Sequence, residues 1–235
     1  MSRHSEIAAG LADTRERIER ACIDAGRDPA DVTLIVVTKT YPATDVAVLA
    51  ELGVTDIGEN RHPEAGRKLD ELARLGLTEP PRMHFIGGLQ TNKAGAVSRY
   101  ADVVHSVDRP RLVDGLSRGA VAADRVLGCL VQVDFDTTDP GRSGVVPADA
   151  LDLAQLVDSA AGLRLDGLMT VAPLGVDPGP VFDQLMVLSQ RLRATHPHAT
   201  VVSAGMSGDL EAAVRSGATH VRVGRSVLGE RSAAR

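Results

Sequence analysis

The chain has 235 residues, of which 43% are apolar, 24% charged and 2% aromatic. That balance excludes a disordered chain or a coiled coil and leaves Val, Leu, Ile and Ala to build the core. A net charge of -5, from 26 basic and 31 acidic residues with no Lys/Arg-rich run, argues against a general binder of nucleic acid or anionic membranes.

Met1 to Glu6 leads into a charged helix rather than an apolar signal segment, and no apolar run reaches the length of a membrane span. Residues 5–25 read as an amphipathic helix with Ile7, Leu11, Ile18, Cys22 and Ala25 on one face, ended by Gly26 and Pro29. Thr33 to Thr38 is a short β-branched run that reads as a buried strand. Further strand-like runs follow near 54–57, 83–86, 102–105, 127–134, 164–169, 200–203 and 220–223. Helical patterns lie between them near 43–52, 63–75, 90–99, 109–121, 147–160, 180–194 and 208–216. In the helix near 180–194, Val181, Leu185, Leu188 and Leu192 form one stripe. Gly53, Gly76 and Gly217 stand where helix C-terminal glycines are expected.

Eight strands alternating with helices require a parallel sheet, because parallel neighbours need a crossover. The expected fold is α/β: a single closed (β/α)8 barrel occupying one domain, residues 1–235. An open doubly wound sheet is the rival, but its Gly-rich first turn is missing. The last helix has to be short, so the N-terminal helix is expected to cover the remaining wall. Cys22 and Cys129 are the only cysteines and lie far apart, so no disulfide framework is present and a reduced cytoplasm is the expected compartment.

Strand alternation then assigns directions. Val221 and Val223 should face the helices, which turns Arg222 inward, and the same alternation sends Gln132 and Asp134 inward. Ile35, Val37 and Lys39 share a face, with Lys39 at the strand's C-terminal end, where barrels carry their chemistry. Only three lysines exist. Lys39 is either a snorkelling surface residue or a partly desolvated amine able to form a Schiff base. Lys68, four residues after Glu64, reads as a solvated helix face, and Lys93 as a rim residue. The Gly/Ser turns Ala204-Gly205-Met206-Ser207-Gly208 and Gly224-Arg225-Ser226 follow the last two strands. They are either ordinary strand–helix turns or a phosphate-binding cup of the kind barrels build there.

Other motifs fail. Gly205 to Asp209 misses the G-x-S-x-G elbow, and Gly87 to Lys93 is not a Walker A loop. His196-Pro197-His198 lacks a third metal ligand in the sequence nearby. His84 and His105 read as hydrogen-bonded core residues.

The segments Val37-Thr38-Lys39-Thr40, Gly58-Glu59-Asn60, His84-Phe85-Ile86-Gly87, Leu89-Gln90-Thr91-Asn92-Lys93, His105-Ser106-Val107-Asp108, Gly167-Leu168-Met169-Thr170, Gly205-Met206-Ser207 and Val221-Arg222-Val223-Gly224-Arg225, in this order, resemble the pyridoxal phosphate homeostasis protein family (YggS/PROSC) over nearly the whole length. The resemblance implies an alanine-racemase-like barrel and pyridoxal 5'-phosphate (PLP) held as a Schiff base on Lys39. It also implies a phosphate cup at Ser207, Gly224 and Arg225, with Arg222 against the pyridine nitrogen. A cation there disfavours ring protonation and restrains PLP chemistry. Asn60, Ser203 and Met206 match pocket-lining positions. Departures are Asp134 for an expected Asn, Arg142 for Lys, and Gly88 for a larger residue.

The function implied is PLP holding and supply to apo-enzymes by a monomer, without nucleic-acid or membrane partners. The chain ends about six residues after Gly229, so the separate β domain of related racemases is not expected. A low-activity racemase using Lys39 is the alternative, although a second acid/base does not stand out. A Schiff-base aldolase shares the lysine and phosphate logic but not the family motifs.

Overall fold

The computed structural model describes residues 2–136, 138, 139 and 141–229. Met1 and residues 230–235, which the expected domain includes, lie outside the described residues. Eight parallel strands close into one barrel in sequence order: β1 (Thr33–Val37), β2 (Asp56–Glu59), β3 (Arg82–Phe85), β4 (Val103–Val107), β5 (Leu127–Gln132), β6 (Leu163–Met169), β7 (Val201–Ser203) and β8 (His220–Val223). β8 closes on β1 with Ile35 opposite Arg222.

The barrel begins with α1 (Arg3–Asp24), whose first turn is capped by the Ser2 hydroxyl accepting the Ser5 N–H. Its buried stripe, Ile7, Leu11, Thr14, Ile18, Ala21 and Cys22, follows the helical repeat. Burying side chains such as Ile7 and Leu11 contributes roughly 1.5–3 kcal/mol each. The crossover helices are α2 (Ala43–Glu51), α3 (Glu64–Arg74), α4 (Ala94–Val97), α5 (Pro110–Ala122), α6 (Ala150–Ser159), α7 (Gly179–Thr195) and α8 (Leu210–Ser216), and α9 (Arg225–Leu228) follows β8. As expected, α9 is short and α1 covers the wall beside it. The two come so close that a Cβ on Gly10 would stand 2.5 Å from the Val227 carbonyl oxygen.

The helix expected near 90–99 is instead a 3-10 turn, Thr91–Lys93, followed by the four-residue α4. Here α4 crosses α5 at glycine: a Cβ on Gly119 would meet Gly95 Cα at 2.6 Å. The strand expected to reach residue 134 ends at Gln132. Its pairing passes to the loop that returns alongside, Asp134 N–H donating to the Val145 carbonyl at 2.9 Å and Val145 N–H to the Gln132 carbonyl at 2.8 Å.

Two large apolar shells lie between sheet and helices. One joins Val104, Cys129, Val131 and Leu168 to Leu112, Leu116 and Leu185. The other joins Val36, Val221 and Val223 to Ile7, Leu11 and Val46. Val221 and Val223 therefore face outward to the helices and Arg222 faces in, as alternation predicts. Inside the barrel, Val103, Leu130 and Met169 form a small apolar cluster. Much of the remaining interior is polar.

Candidate functional site

Lys39 stands two residues past the end of β1, half-buried at the mouth formed by the strands' C-terminal ends. Its backbone is clamped from both sides. Thr38, fully buried, donates its N–H to the Gly58 carbonyl at 2.9 Å and its hydroxyl to Glu59 Oε1 at 2.7 Å. Thr40, at φ 69°, donates its N–H to Glu64 Oε1 at 3.0 Å. The third element of the clamp is Lys68, whose Nζ donates to the Thr38 carbonyl at 2.7 Å and pairs with Glu59.

This corrects the solvated reading of Lys68, which is only 5% exposed. Glu64 does not hold it; Glu64 caps Thr40 instead. The helical repeat of Ala65, Lys68 and Leu72, all buried, carried the signal, because it puts Lys68 on the inward stripe of α3. A four-carbon stem can cross an apolar face and leave its charge on acceptors at the strand ends.

A cavity of ≈ 520 Å³ opens at this mouth and is lined by Lys39, Met206, Ser207, Arg222, Gly224 and Arg225, among others. Gly205, after β7, adopts φ 89°, and a Cβ there would meet the Ala213 Cβ at 2.6 Å. Only glycine fits this tight turn. Asp209 Oδ1 accepts the Met206 N–H at 2.5 Å and so braces the loop. Arg222 N–H donates to the Gly205 carbonyl at 2.9 Å, tying β8 to the same loop. Gly224 packs on β1, where a Cβ would stand 3.0 Å from the Val37 carbonyl oxygen.

Arg222, 4% exposed, forms part of the cavity wall from inside the barrel. It donates from Nη1 to Ser203 Oγ at 2.6 Å and from Nη2 to the Thr170 carbonyl at 2.9 Å. Burial pushes its guanidinium down to about 10, and the Asp209 carboxylate acts in the opposite direction. The structure thus brings Lys39, Met206, Ser207, Arg222, Gly224 and Arg225 to one cavity. Ser203 is fully buried and directs its hydroxyl to Arg222 and His105 rather than lining that cavity. Asn60 stands behind Gly87, where a Cβ would meet the Asn60 backbone oxygen at 2.3 Å.

The donor set suits a phosphorylated aldehyde. Lys39, Arg222 and Arg225 set three cations against the single carboxylate of Asp209 among the described lining residues. Small residues at 205, 207, 208 and 224 let an anion approach the backbone. Asn60 is not among the described residues that line the cavity, and its Oδ1 is buried with no hydrogen-bond partner among the described residues.

Three further sequence expectations meet the structure here. Gln132 and Asp134 are both nearly buried, with Gln132 donating to the Ser143 carbonyl at 2.7 Å. Two of the three departures from the family pattern turn out to be partners: Arg142 Nε donates to Asp134 Oδ1 at 2.9 Å. Gly88 leaves room, since its added Cβ would lie 3.5 Å from Ser143 Oγ.

Residues 16–232 match the alanine racemase N-terminal domain family, so the fold and the mouth cavity define an alanine-racemase-like barrel protein. The alanine racemase of Corynebacterium glutamicum shares the fold at TM-score 0.67 and 16% identity, over 97% of this chain and 62% of that one. Much greater likeness is found elsewhere. The chain is 43% identical to the pyridoxal phosphate homeostasis protein of Mycobacterium tuberculosis, over 97% of this chain and 94% of the relative. It is 36% identical to that of Escherichia coli, over 97% of each. PipY of Synechococcus elongatus, solved with PLP bound, superposes at TM-score 0.81 and 31% identity over 95% of this chain and 100% of that one. The chain belongs to the pyridoxal phosphate homeostasis protein family.

Proposed function

We propose that this protein binds PLP reversibly, keeps the free aldehyde low and supplies the cofactor to apo-enzymes. The observation that carries the reading is the single cavity that Lys39 shares with the two glycine turns and Arg222. PLP supplies a reactive aldehyde and an anionic tail; Lys39 would condense with the first, releasing water, and Ser207, Gly224 and Arg225 would hold the second. Arg222 would stand against the ring nitrogen, and Met206 and Asn60 beside the ring. Ser203 would act from beneath Arg222. The clamp of Thr38, Glu59 and Lys68 fixes the backbone that presents Lys39.

We read the chain as a carrier rather than a racemase. A racemase needs a second acid/base across the ring from Lys39. Among the described residues lining the cavity, the remaining carboxylate is Asp209, and it is engaged with the Met206 N–H. The curated relatives in Mycobacterium tuberculosis and Escherichia coli are named as homeostasis proteins. Among the described residues no helix is long and apolar enough to cross a membrane, which fits a carrier working in the cytoplasm.

Purified protein incubated with PLP should show a visible Schiff-base band that borohydride fixes on Lys39, located by peptide mass spectrometry. Lys39→Ala should lose the band and the adduct. An adduct persisting on Lys68 or Lys93 would defeat the assignment. Exchange of substrate Cα hydrogen with inversion at about 1 s⁻¹ or faster would establish the racemase instead.

A further inference from the structure

Beneath Arg222 the barrel interior holds a continuous polar chain. Arg222 Nη1 reaches Ser203 Oγ at 2.6 Å, and Ser203 Oγ reaches His105 Nδ1 at 3.0 Å. His105 Nε2 lies 2.8 Å from His84 Nδ1, and His84 Nε2 lies 2.8 Å from Asp56 Oδ1. These groups come from β8, β7, β4, β3 and β2, and each is at most 5% exposed. Asp56, at the far end, also lines a separate cavity of ≈ 420 Å³ bordered by α1 and the start of β1.

Donor accounting gives the chain a direction. A guanidinium only donates, so the Ser203 oxygen accepts from Arg222. Among the described residues the hydroxyl proton of this fully buried serine then has one partner, His105 Nδ1, which must be bare. The His105 proton therefore sits on Nε2 and is donated to His84 Nδ1. His84 in turn carries its proton on Nε2 and donates it to the Asp56 carboxylate. All four hydrogen bonds point from Arg222 toward Asp56. The reverse order would leave the serine hydroxyl unsatisfied, an expensive outcome in a dry core.

We infer that Ser203, His105 and His84 are positioning residues that hold Arg222 in place and carry the influence of the Asp56 carboxylate across the barrel to the cofactor cavity. The inference rests on the PLP reading of that cavity. Among the described residues Arg222 has no carboxylate hydrogen-bond partner, and burial works against its charge. Each donated proton in the relay makes the next acceptor more negative, so the serine oxygen facing Arg222 is a better acceptor than an isolated hydroxyl. Arg222 is thereby kept cationic and aimed, which is what restraint of the ring nitrogen requires. Other charged or titratable groups close to the relay are Arg82, 4.0 Å from Asp56, and His220, whose ring centroid lies 6.4 Å from that of His84. Thr55 also donates to Asp56, at 2.7 Å.

The test uses Asp56→Asn, Ser203→Ala and Ser203→Thr in the full chain. Long-range ¹H–¹⁵N spectra of the cofactor-free protein, assigned with His84→Gln and His105→Gln, should show both histidines as the Nε2–H tautomer. The Arg222 guanidinium resonances should move in Asp56→Asn and Ser203→Ala. In the PLP-loaded protein, both variants should change the proportion of the Schiff-base absorption bands and speed PLP release by about tenfold, the scale of a lost hydrogen bond to a charged group. Ser203→Thr, which keeps the hydroxyl, should restore both. An Nδ1–H tautomer at His105 would overturn the inference. So would variants that melt earlier but keep the wild-type bands and release rate. If the wild type forms no Schiff base, the PLP reading falls, and the Arg222 resonances alone then decide the relay: movement in Asp56→Asn sustains it, and no movement ends it.

Discussion

Lys39 and Lys68 are both brought to the end of β1, yet their surroundings make them different residues. Lys39 is half-buried and lines a cavity, with its backbone held on either side. Lys68 is buried and committed to Glu59 and the Thr38 carbonyl. The Lys68 amine is enclosed between an ion pair and a carbonyl, whereas Lys39 belongs to the wall of a cavity that a ligand can enter. Position in the fold, not residue type, separates the lysine we propose as the Schiff-base residue from the structural one.

Substitution of each lysine should split the two roles. Lys39→Ala should abolish the PLP band outright while moving the urea midpoint little. Lys68→Met should keep a Lys39 band but cost about 3–5 kcal/mol, because Glu59 would be left buried without its cation. The double change Glu59→Gln with Lys68→Met should recover much of that loss. Equal destabilisation by the two single lysine changes would erase the distinction.

The barrel interior extends the comparison to pH. His220 is pushed down to about 4, and His105 well below its ordinary value, chiefly by burial and then by the neighbouring His84. Both fold in the neutral form, so below their unfolded value of 6.5 the unfolded chain takes up more protons. Their stabilisation is complete above that value and is lost as pH falls toward the folded values. Denaturation at pH 7 and pH 4.5 should differ by ~2–3 kcal/mol from His220 alone. Burial alone would raise the Asp56 carboxyl, yet hydrogen bonds from His84 and Thr55 bring it below its ordinary value. Its contribution is therefore lost only at lower pH, below 3.8, and does not blur this window. A flat response between pH 7 and 4.5 would mean that these rings are protonated as easily when folded.

Much of this was legible along the chain. Apolar runs separated by helical stripes identified the eight strands, and alternation turned Arg222 inward. Lys39 was marked by its place at a strand end. The relay was not legible, because its links are tertiary: His105 and Ser203 are 98 residues apart and meet only when the barrel closes. Each histidine alone read as a satisfied core residue, which it is, but nothing local named its partner. Ser203 matched a pocket position by resemblance, and only the folded barrel shows its hydroxyl turned beneath Arg222. Lys68 was misread for a different reason. Its charge outweighed a helical repeat that already placed it beside Ala65 and Leu72.

The smallest expected effect lies on the opposite side of the mouth, at the pair that departs from the family pattern. Asp134 and Arg142 are mostly buried, and Arg142 Nη2 also donates to the Val171 carbonyl at 2.6 Å, joining the loop after β5 to the loop after β6. Asp134→Asn alone leaves the guanidinium its carbonyl acceptor but removes its counter-charge. Arg142→Lys alone cannot span both acceptors with the same planar fork. Each single change should cost about 1 kcal/mol in urea denaturation, as for a partly exposed ion pair. The double change restores the combination expected for the family, and should cost less than the sum of the two, giving a coupling energy of about 0.5–1 kcal/mol. Strict additivity would show that the two departures are independent, and that the loop is held by the Val171 contact rather than by the charge pair.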